Sequence, residues 1–410
     1  MYKEICHNTK NHDTKLVSKM DAKERILKAA NHKEPDRVPS FEGSIDNLKV
    51  CAHFGVKYGY QGSGDLLIKT YDLLKGDTKL LKKFVDKSNK VSDILTPAIE
   101  LYKCAGIDLC PIYLTNLPVF YEREGIIDDY GRRMQFKKNP SDGMDILYYI
   151  EGTFNNIEDF ENFPQMDPDD PKRENIYRSA KQIEEKFKGK VYTVPTIGGI
   201  MEGSWQCFGL NMFTRFFSQP KILRQIFDER GKFALEIIKR IIDWGEDGIV
   251  FMGDDYGFKN GLIMNPKYYQ EYVFPWLKRM CDTAHKAGLK FFLHSCGDIY
   301  EIFDKIIECG VDLIHPIEPT TANPEYNIFK LYDKYGDEIT FVGNVSPQDL
   351  ADQKPNVIVH YVKKLIKRLA PEGGFILSSG HSINPAVKLE NFLAMYETLQ
   401  RYGKYSIQIN

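Results

Sequence analysis

KFFLHSCGDIYEIFDKIIECGVDLIHPIEP, residues 290–319, is the stretch from which the architecture can be read. It opens on a short apolar run that ends in small and polar residues, KFFLHSCG (290–297). It then changes to apolar residues three and four apart in IYEIFDKIIECG, halts at Gly310, and gives a second apolar run, DLIHPIEP (312–319). A run of this length bounded by turn-formers reads as a buried strand, the 3.6-residue period reads as a helix, and the glycine is its C-terminal stop. Strand, polar loop, helix, glycine and strand make one βα unit.

The same unit recurs on both sides. Comparable apolar runs are RVPSFEG (37–43), IDLCPIY (107–113), VYTVPTIGG (191–199), GIVFMGDDY (248–256), ITFVGNVS (339–346) and GGFILSSGHS (373–382), which brings the total to eight. Helical patterns such as PKILRQIFDERGKFALEIIKRIIDWG and VIVHYVKKLIKRLAPEGG separate most of them. Near-continuous apolar strands belong to a parallel sheet covered on its faces. Eight units favour an α/β fold of the (β/α)8 TIM-barrel kind over a doubly wound sheet. Residues 1–20 read as a polar tail, and 21–410 as a single barrel domain. That domain begins on a helix with Asp21 as N-cap and Glu24 at the capping-box offset. Residues 114–190 break the rhythm and read as an insertion, a β-hairpin and loop before a helix at 170–188.

Composition narrows the function classes. Hydrophobic residues make up 42% and charged residues 27% of the 410, the profile of a globular chain too apolar to be disordered. With 55 Lys and Arg against 57 Asp and Glu, the net charge of −2 leaves no basic field for a nucleic-acid backbone. No stretch approaches the ~18 apolar residues of a membrane span, and the N-terminus lacks the apolar core of a secretory signal. The expected location is the cytoplasm. The eight cysteines, with no CxxC pair, are then expected to be reduced. Seven read as small packing residues or, for Cys6, an exposed one. Exposed apolar helix faces would pair two copies as a homodimer.

In a barrel the chemistry sits at the C-terminal ends of the strands. The eight ends offer Glu42, Tyr113, Gly198 with Gly199, Asp254 with Asp255, His294 with Cys296, Glu318, Asn344 and His381. The HxC spacing of His294 and Cys296 puts an imidazole and a thiol on one side of an extended chain, and both are zinc ligands. His381, at the end of the last run, is the best candidate for a third ligand. His315, inside the sixth run, is the competing histidine and reads more readily as a barrel-wall residue. Asp254, Asp255 and Glu42 are the candidate catalytic carboxylates, Glu42 doubling as an oxygen ligand or substrate contact. Trp205, Tyr256, Asn344 and Glu318 are the candidate substrate contacts.

Several segments resemble the uroporphyrinogen decarboxylase superfamily, and more closely its corrinoid-linked methyltransferase branch. They are RILKAANHKEPDRVPSFEGSID (25–46), GDDYGFKNGLIMNPKYYQEYVFPWLKRM (253–280), the stretch 291–319, FVGNVSPQDL (341–350) and GGFILSSGHSINPAVKLENFLAMYE (373–397). The resemblance implies a zinc enzyme moving a methyl group between a small methyl donor or thiol acceptor and a corrinoid (methylcobalamin) held by a partner protein. It also implies a zinc held by the HxC pair and a residue of the last βα loop, where the family has cysteine and this chain has His381. The alternatives are a metal-free decarboxylase of the uroporphyrinogen type and a non-catalytic corrinoid- or tetrapyrrole-binding barrel. Around Arg37 the chain lacks the arginine-rich motif with which the decarboxylases grip porphyrin carboxylates, which weighs against the first alternative.

Overall fold

The computed structural model describes residues 20–57, 62–88 and 91–409. The expected tail, apart from Met20, and Cys6 within it lie outside the described residues. The strands are β1 (Leu109–Tyr113), β2 (Pro118–Tyr121), β3 (Gly125–Asp128), β4 (Arg132–Lys138), β5 (Asp145–Gly152), β6 (Tyr192–Gly198), β7 (Ile249–Gly253), β8 (Gly257–Phe258), β9 (Gly261–Leu262), β10 (Lys290–His294), β11 (Leu313–His315), β12 (Thr340–Val345) and β13 (Phe375–Ser379). Seven of the eight expected runs form one parallel sheet in the order β1-β6-β7-β10-β11-β12-β13. These strands are buried almost throughout, as sequences apolar on both faces require.

The sheet curls until its two edges meet the first run from opposite sides. Leu109 N donates to Ser40 O (3.1 Å), while Phe41 N donates to Leu377 O (3.0 Å) and Leu377 N to Pro39 O (2.9 Å). These contacts are isolated parallel bridges, Phe41 to Leu109 and Ser40 to Leu377. The barrel expected from eight equal strands is therefore not closed by a continuous ladder. The reason is local: Pro39 has no N–H, and the Ser40 N–H is taken by the Asp108 carboxylate at 2.9 Å.

Strand alternation divides the core into two layers. Phe41, Leu109, Tyr192, Val194, Ile249, Phe251, Phe292, Leu313, Val342 and Ile376 point into the curl. They pack with Ala22, Ile26, Ala29 and Ala30 of the helix Ala22–Ala30. That helix starts from its Asp21 cap, as the capping box predicts, and closes the end where the strands begin: Ala22 N bonds Gly189 O, and Gly374 N bonds Ala29 O. The alternate residues, Val250 and Met252 among them, face an outer layer of helices. In Pro220–Asp243, Leu223, Ile226, Phe227, Ala234, Ile237, Ile238 and Ile241 form the buried stripe, each large apolar side chain contributing about 1.5–3 kcal/mol.

Three regions depart from the simple rhythm. The described residues of 48–105 carry four helices, the last of which, Val91–Ala105, runs through Pro97. The segment after β1 forms a four-stranded antiparallel sheet, β2-β3-β4-β5, where a hairpin was expected, followed by the expected helix at Pro171–Lys186 with Asp170 as N-cap. The helical run over 266–286 widens into a π turn at Tyr269–Val273 before Phe274–Lys286, because Pro275 has no N–H for the regular ladder. Among the described residues, no helix is long and apolar enough to cross a membrane.

Candidate functional site

The interior side chains are stacked by register. Phe251 and Phe292 stack at 4.4 Å, with Phe41 edge-on to both. One step further along each strand, toward its C-terminal end, the ladder aligns Gly253, His294 and His315. The aromatic layer is thus a floor, and the two histidines stand on it as ring neighbours at 4.9 Å.

His294 Nε2 lies 3.4 Å from the Cys296 sulfur and 3.5 Å from Asp255 Oδ1. Asp255 Oδ1 also accepts the Cys296 N–H at 2.7 Å, which ties the β7 loop to the β10 loop. One donor atom from each of Asp255, His294 and Cys296 falls within 4.8 Å of the other two. Oxygen, imidazole nitrogen and sulfur are the donor types zinc takes, and a cation of modest size fits this set. Tight turns make the approach possible. Gly297 has φ +82°, and a Cβ there would stand 2.2 Å from the Gly257 carbonyl carbon. Ser295 Oγ accepts the Tyr256 N–H (2.9 Å), holding the two loops together.

Burial pushes His294 well down from its ordinary value against the pull of Asp255, so its imidazole is neutral. Burial, Asp255 and Glu318 push the Cys296 thiol well up. His381 stands beside this set, its ring centred 6.0 Å from that of His294, with Nδ1 2.8 Å from Ser382 Oγ. The third donor closest to the HxC pair is therefore Asp255.

The other sequence candidates are placed differently. Asp254 is fully buried, and its two oxygens accept the N–H groups of Ile200, Met201 and Glu202 at 2.9–3.0 Å, capping the helix Ile200–Trp205 from the next strand. Gly199 must be glycine there, since a Cβ would meet Asp254 Cγ at 2.0 Å. Burial raises Asp254 to about 7 despite those bonds. Glu42 is also fully buried. It accepts the Ser379 N–H (3.0 Å), the Ser379 hydroxyl and the Tyr396 hydroxyl (2.6 Å), and burial raises it to about 7. Asn344 is buried, and its side-chain oxygen meets no hydrogen-bond partner among the described residues. Tyr256 is buried in the outer core with its ring 5.5 Å from that of Tyr269, and Trp205 is half-buried against Tyr149. Glu318, partly exposed, accepts a bond from Thr320.

Sequence reasoning passed over Glu202, three residues beyond Gly199. It is half-buried beside Asp255 and Asp254, and burial followed by those two carboxylates pushes it upward. Gln206 donates to it (2.7 Å) and accepts from Arg132 (2.8 Å), which pairs with Asp128, so a polar chain joins the antiparallel sheet to the donor set. No strand-end signal marks Glu202; only its place in the first turn after β6 does.

A family model described as uroporphyrinogen decarboxylase (URO-D) matches residues 143–402. The chain is 20% identical over 256 residues to a methylcobamide:CoM methyltransferase MtbA of Methanosarcina acetivorans, covering 62% of this chain and 71% of that protein. It is 21% identical to a uroporphyrinogen decarboxylase of Dechloromonas aromatica over 54% of this chain and 59% of that one. Among solved structures, a methyltransferase from Methanosarcina mazei superposes with a TM-score of 0.64 at 16% identity, covering 94% of this chain and 99% of the other, and so shares its fold.

Proposed function

The chain belongs to the uroporphyrinogen decarboxylase family, and from that premise we propose that it is a zinc-dependent methyltransferase working between a small methyl donor or thiol acceptor and a corrinoid protein. The observation that carries the reading is the Asp255, His294 and Cys296 donor set on the floor of the curled sheet. The methylcobamide:CoM methyltransferases among the relatives support the corrinoid partner.

In this reading Asp255, His294 and Cys296 hold the zinc, with His381 and Glu318 flanking it as substrate contacts or a further ligand. Bound there, zinc would act as a Lewis acid that lowers the pKa of an acceptor thiol. His294 presents a neutral ring. Asp255 fixes the Cys296 backbone and so the direction of its sulfur. Glu202 holds a proton beside Asp255, where it can bond a substrate oxygen or sulfur. Asp254 acts one step back, as the cap that keeps Glu202 in place. Residues 21–410 act as one domain in the cytoplasm, with 114–190 an insertion after β1 that stands at the mouth: Tyr130 OH bonds Gly198 O at 3.3 Å. The corrinoid protein would dock over that mouth.

The test is metal content together with methyl transfer. The purified chain should hold one zinc per molecule and demethylate free methylcobalamin in the presence of a small thiol, followed by the change in corrinoid absorbance. Cys296→Ala should lose the zinc and the transfer. Asp255→Asn should weaken zinc by more than the ~10–100-fold expected of an outer-shell change. His381→Ala should do so only if that ring is a ligand. A metal-free protein whose Cys296→Ala variant transfers methyl as well as the parent would sink the reading. Turnover of uroporphyrinogen III would replace it with the decarboxylase alternative.

A further inference from the structure

His315 has a surrounding that simple packing does not need. It is fully buried over the aromatic floor, 5.2 Å from Phe41 and 6.5 Å from Phe292 between ring centres. Nevertheless each of its nitrogens has a polar partner: Nε2 is 2.9 Å from the Ser379 carbonyl oxygen, and Nδ1 is 2.7 Å from His294 Nδ1. We infer that His315 is a positioning residue, which fixes the proton of His294 on Nδ1 and leaves Nε2 as the free electron-pair donor toward Asp255 and Cys296. This deepens the metal site proposed above and rests on it.

The direction of each bond follows from what its partner can do. A carbonyl oxygen only accepts, so His315 Nε2 carries the hydrogen. The Ser378 hydroxyl, 3.3 Å from the same nitrogen, is farther and can rotate to accept as well. All of these partners are neutral, so His315 is a neutral ring with a single N–H, and its Nδ1 is a lone pair. Two lone pairs at 2.7 Å would repel, so the hydrogen between the rings belongs to His294 Nδ1. That leaves His294 Nε2 bare, on the side facing the cysteine sulfur and the carboxylate. An outer partner that holds a ligating imidazole in one tautomer and orientation commonly sets metal affinity.

The anchor of this chain is itself held. Ser379 donates both its N–H and its hydroxyl to Glu42, so the carbonyl that His315 reads cannot swing away. Parallel pairing of β10 with β11 places His294 beside His315, and pairing of β12 with β13 sets Ser379 level with Val345. Glu42, Ser379, His315 and His294 thus form one line from the wall of the sheet to the donor set. In this arrangement Glu42 supports the site from three residues away.

The tautomer can be read directly. Full-length protein with 15N-labelled histidine, stripped of metal with a chelator, should show His294 protonated at Nδ1 in long-range proton–nitrogen correlation spectra. In His315→Phe, which fills the volume and removes the acceptor, His294 should move to a mixture of tautomers, and Zn2+ affinity should fall by about 10–100-fold. His315→Asn puts an amide oxygen where Nδ1 was and should restore both the tautomer and most of the affinity. A His294 protonated at Nε2 in the metal-free parent overturns the inference, as does His315→Phe binding Zn2+ like the parent while keeping its unfolding midpoint. His315→Asn no better than His315→Phe overturns it too. Because the spectra need no metal, a parent that fails to take up zinc removes the reading above and leaves the tautomer measurement to decide this one.

Discussion

Asp108→Ala should be among the most destabilising single changes in the chain, by about 3–5 kcal/mol, visible as a lower urea midpoint at unchanged slope. Asp108 lies at the head of β1, and its carboxylate is almost wholly buried. Oδ1 accepts from Arg25 (2.7 Å) and Arg37 (2.8 Å), and Oδ2 from Arg37 (2.8 Å) and the Ser40 N–H (2.9 Å). Removing it leaves two guanidinium groups short of an acceptor and frees the N–H of the residue that bridges to the last strand. Arg25 keeps Asp36, at 2.6 and 2.9 Å, so the loss should sit near the lower end of the range. Arg37→Ala should cost less, because that side chain reaches solvent while Asp108 retains Arg25 and Ser40. Asp108→Asn should behave almost as badly as alanine, since its amide hydrogens would face the arginines. If Asp108→Ala unfolds at the parent's midpoint, the cluster is not what joins the first run to the sheet.

The fold was legible where one residue type has one local meaning. Apolar runs followed by glycine and a 3.6-residue period located seven ladder strands and the main outer helices, and Asp21 with Glu24 located the first helix start. It was less legible where tertiary partners override the local rule. Pro97 sits inside the helix Val91–Ala105, and the four-stranded sheet after β1 takes its register from its own pairings, Arg132 against Gly152 among them. At the site, HxC was readable because imidazole and thiol are both metal-donor types and the two stand together at one strand end. Asp254 and Asp255 were not separable, since adjacent identical side chains point to opposite sides. One meets a helix N-terminus from β6 and the other meets Cys296, and neither neighbour is near in sequence. His315 was read as wall because only the fold supplies its partners, which come from β10 and β13.

Glu42 gives the fold a measurable pH signature. Burial raises its carboxyl from 4.5 to about 7, a displacement equivalent to on the order of 3 kcal/mol between its protonated and ionised forms. The folded value lies above the unfolded one, so Glu42 contributes its full stability below about pH 4.5 and loses it as pH rises through about 7. Between those limits the folded chain binds one more proton than the unfolded one at this site. Unfolding free energy should therefore fall by about 1.4 kcal/mol per pH unit on its account. Asp254, raised to about 7 for the same reason, adds in the same direction. Glu42→Gln isolates the first contribution. The amide oxygen can accept the Ser379 N–H and the Tyr396 hydroxyl, and the amide nitrogen can donate to the Ser379 hydroxyl, so the fold should survive without the proton. Urea titrations at several pH values should then show a slope shallower by that amount in the variant, with the Asp254 share left. Parallel slopes in parent and variant would mean that Glu42 is ionised in the folded chain. In that case the bonds to Ser379 and Tyr396 outweigh burial, and the carbonyl that orients His315 is anchored by a charge.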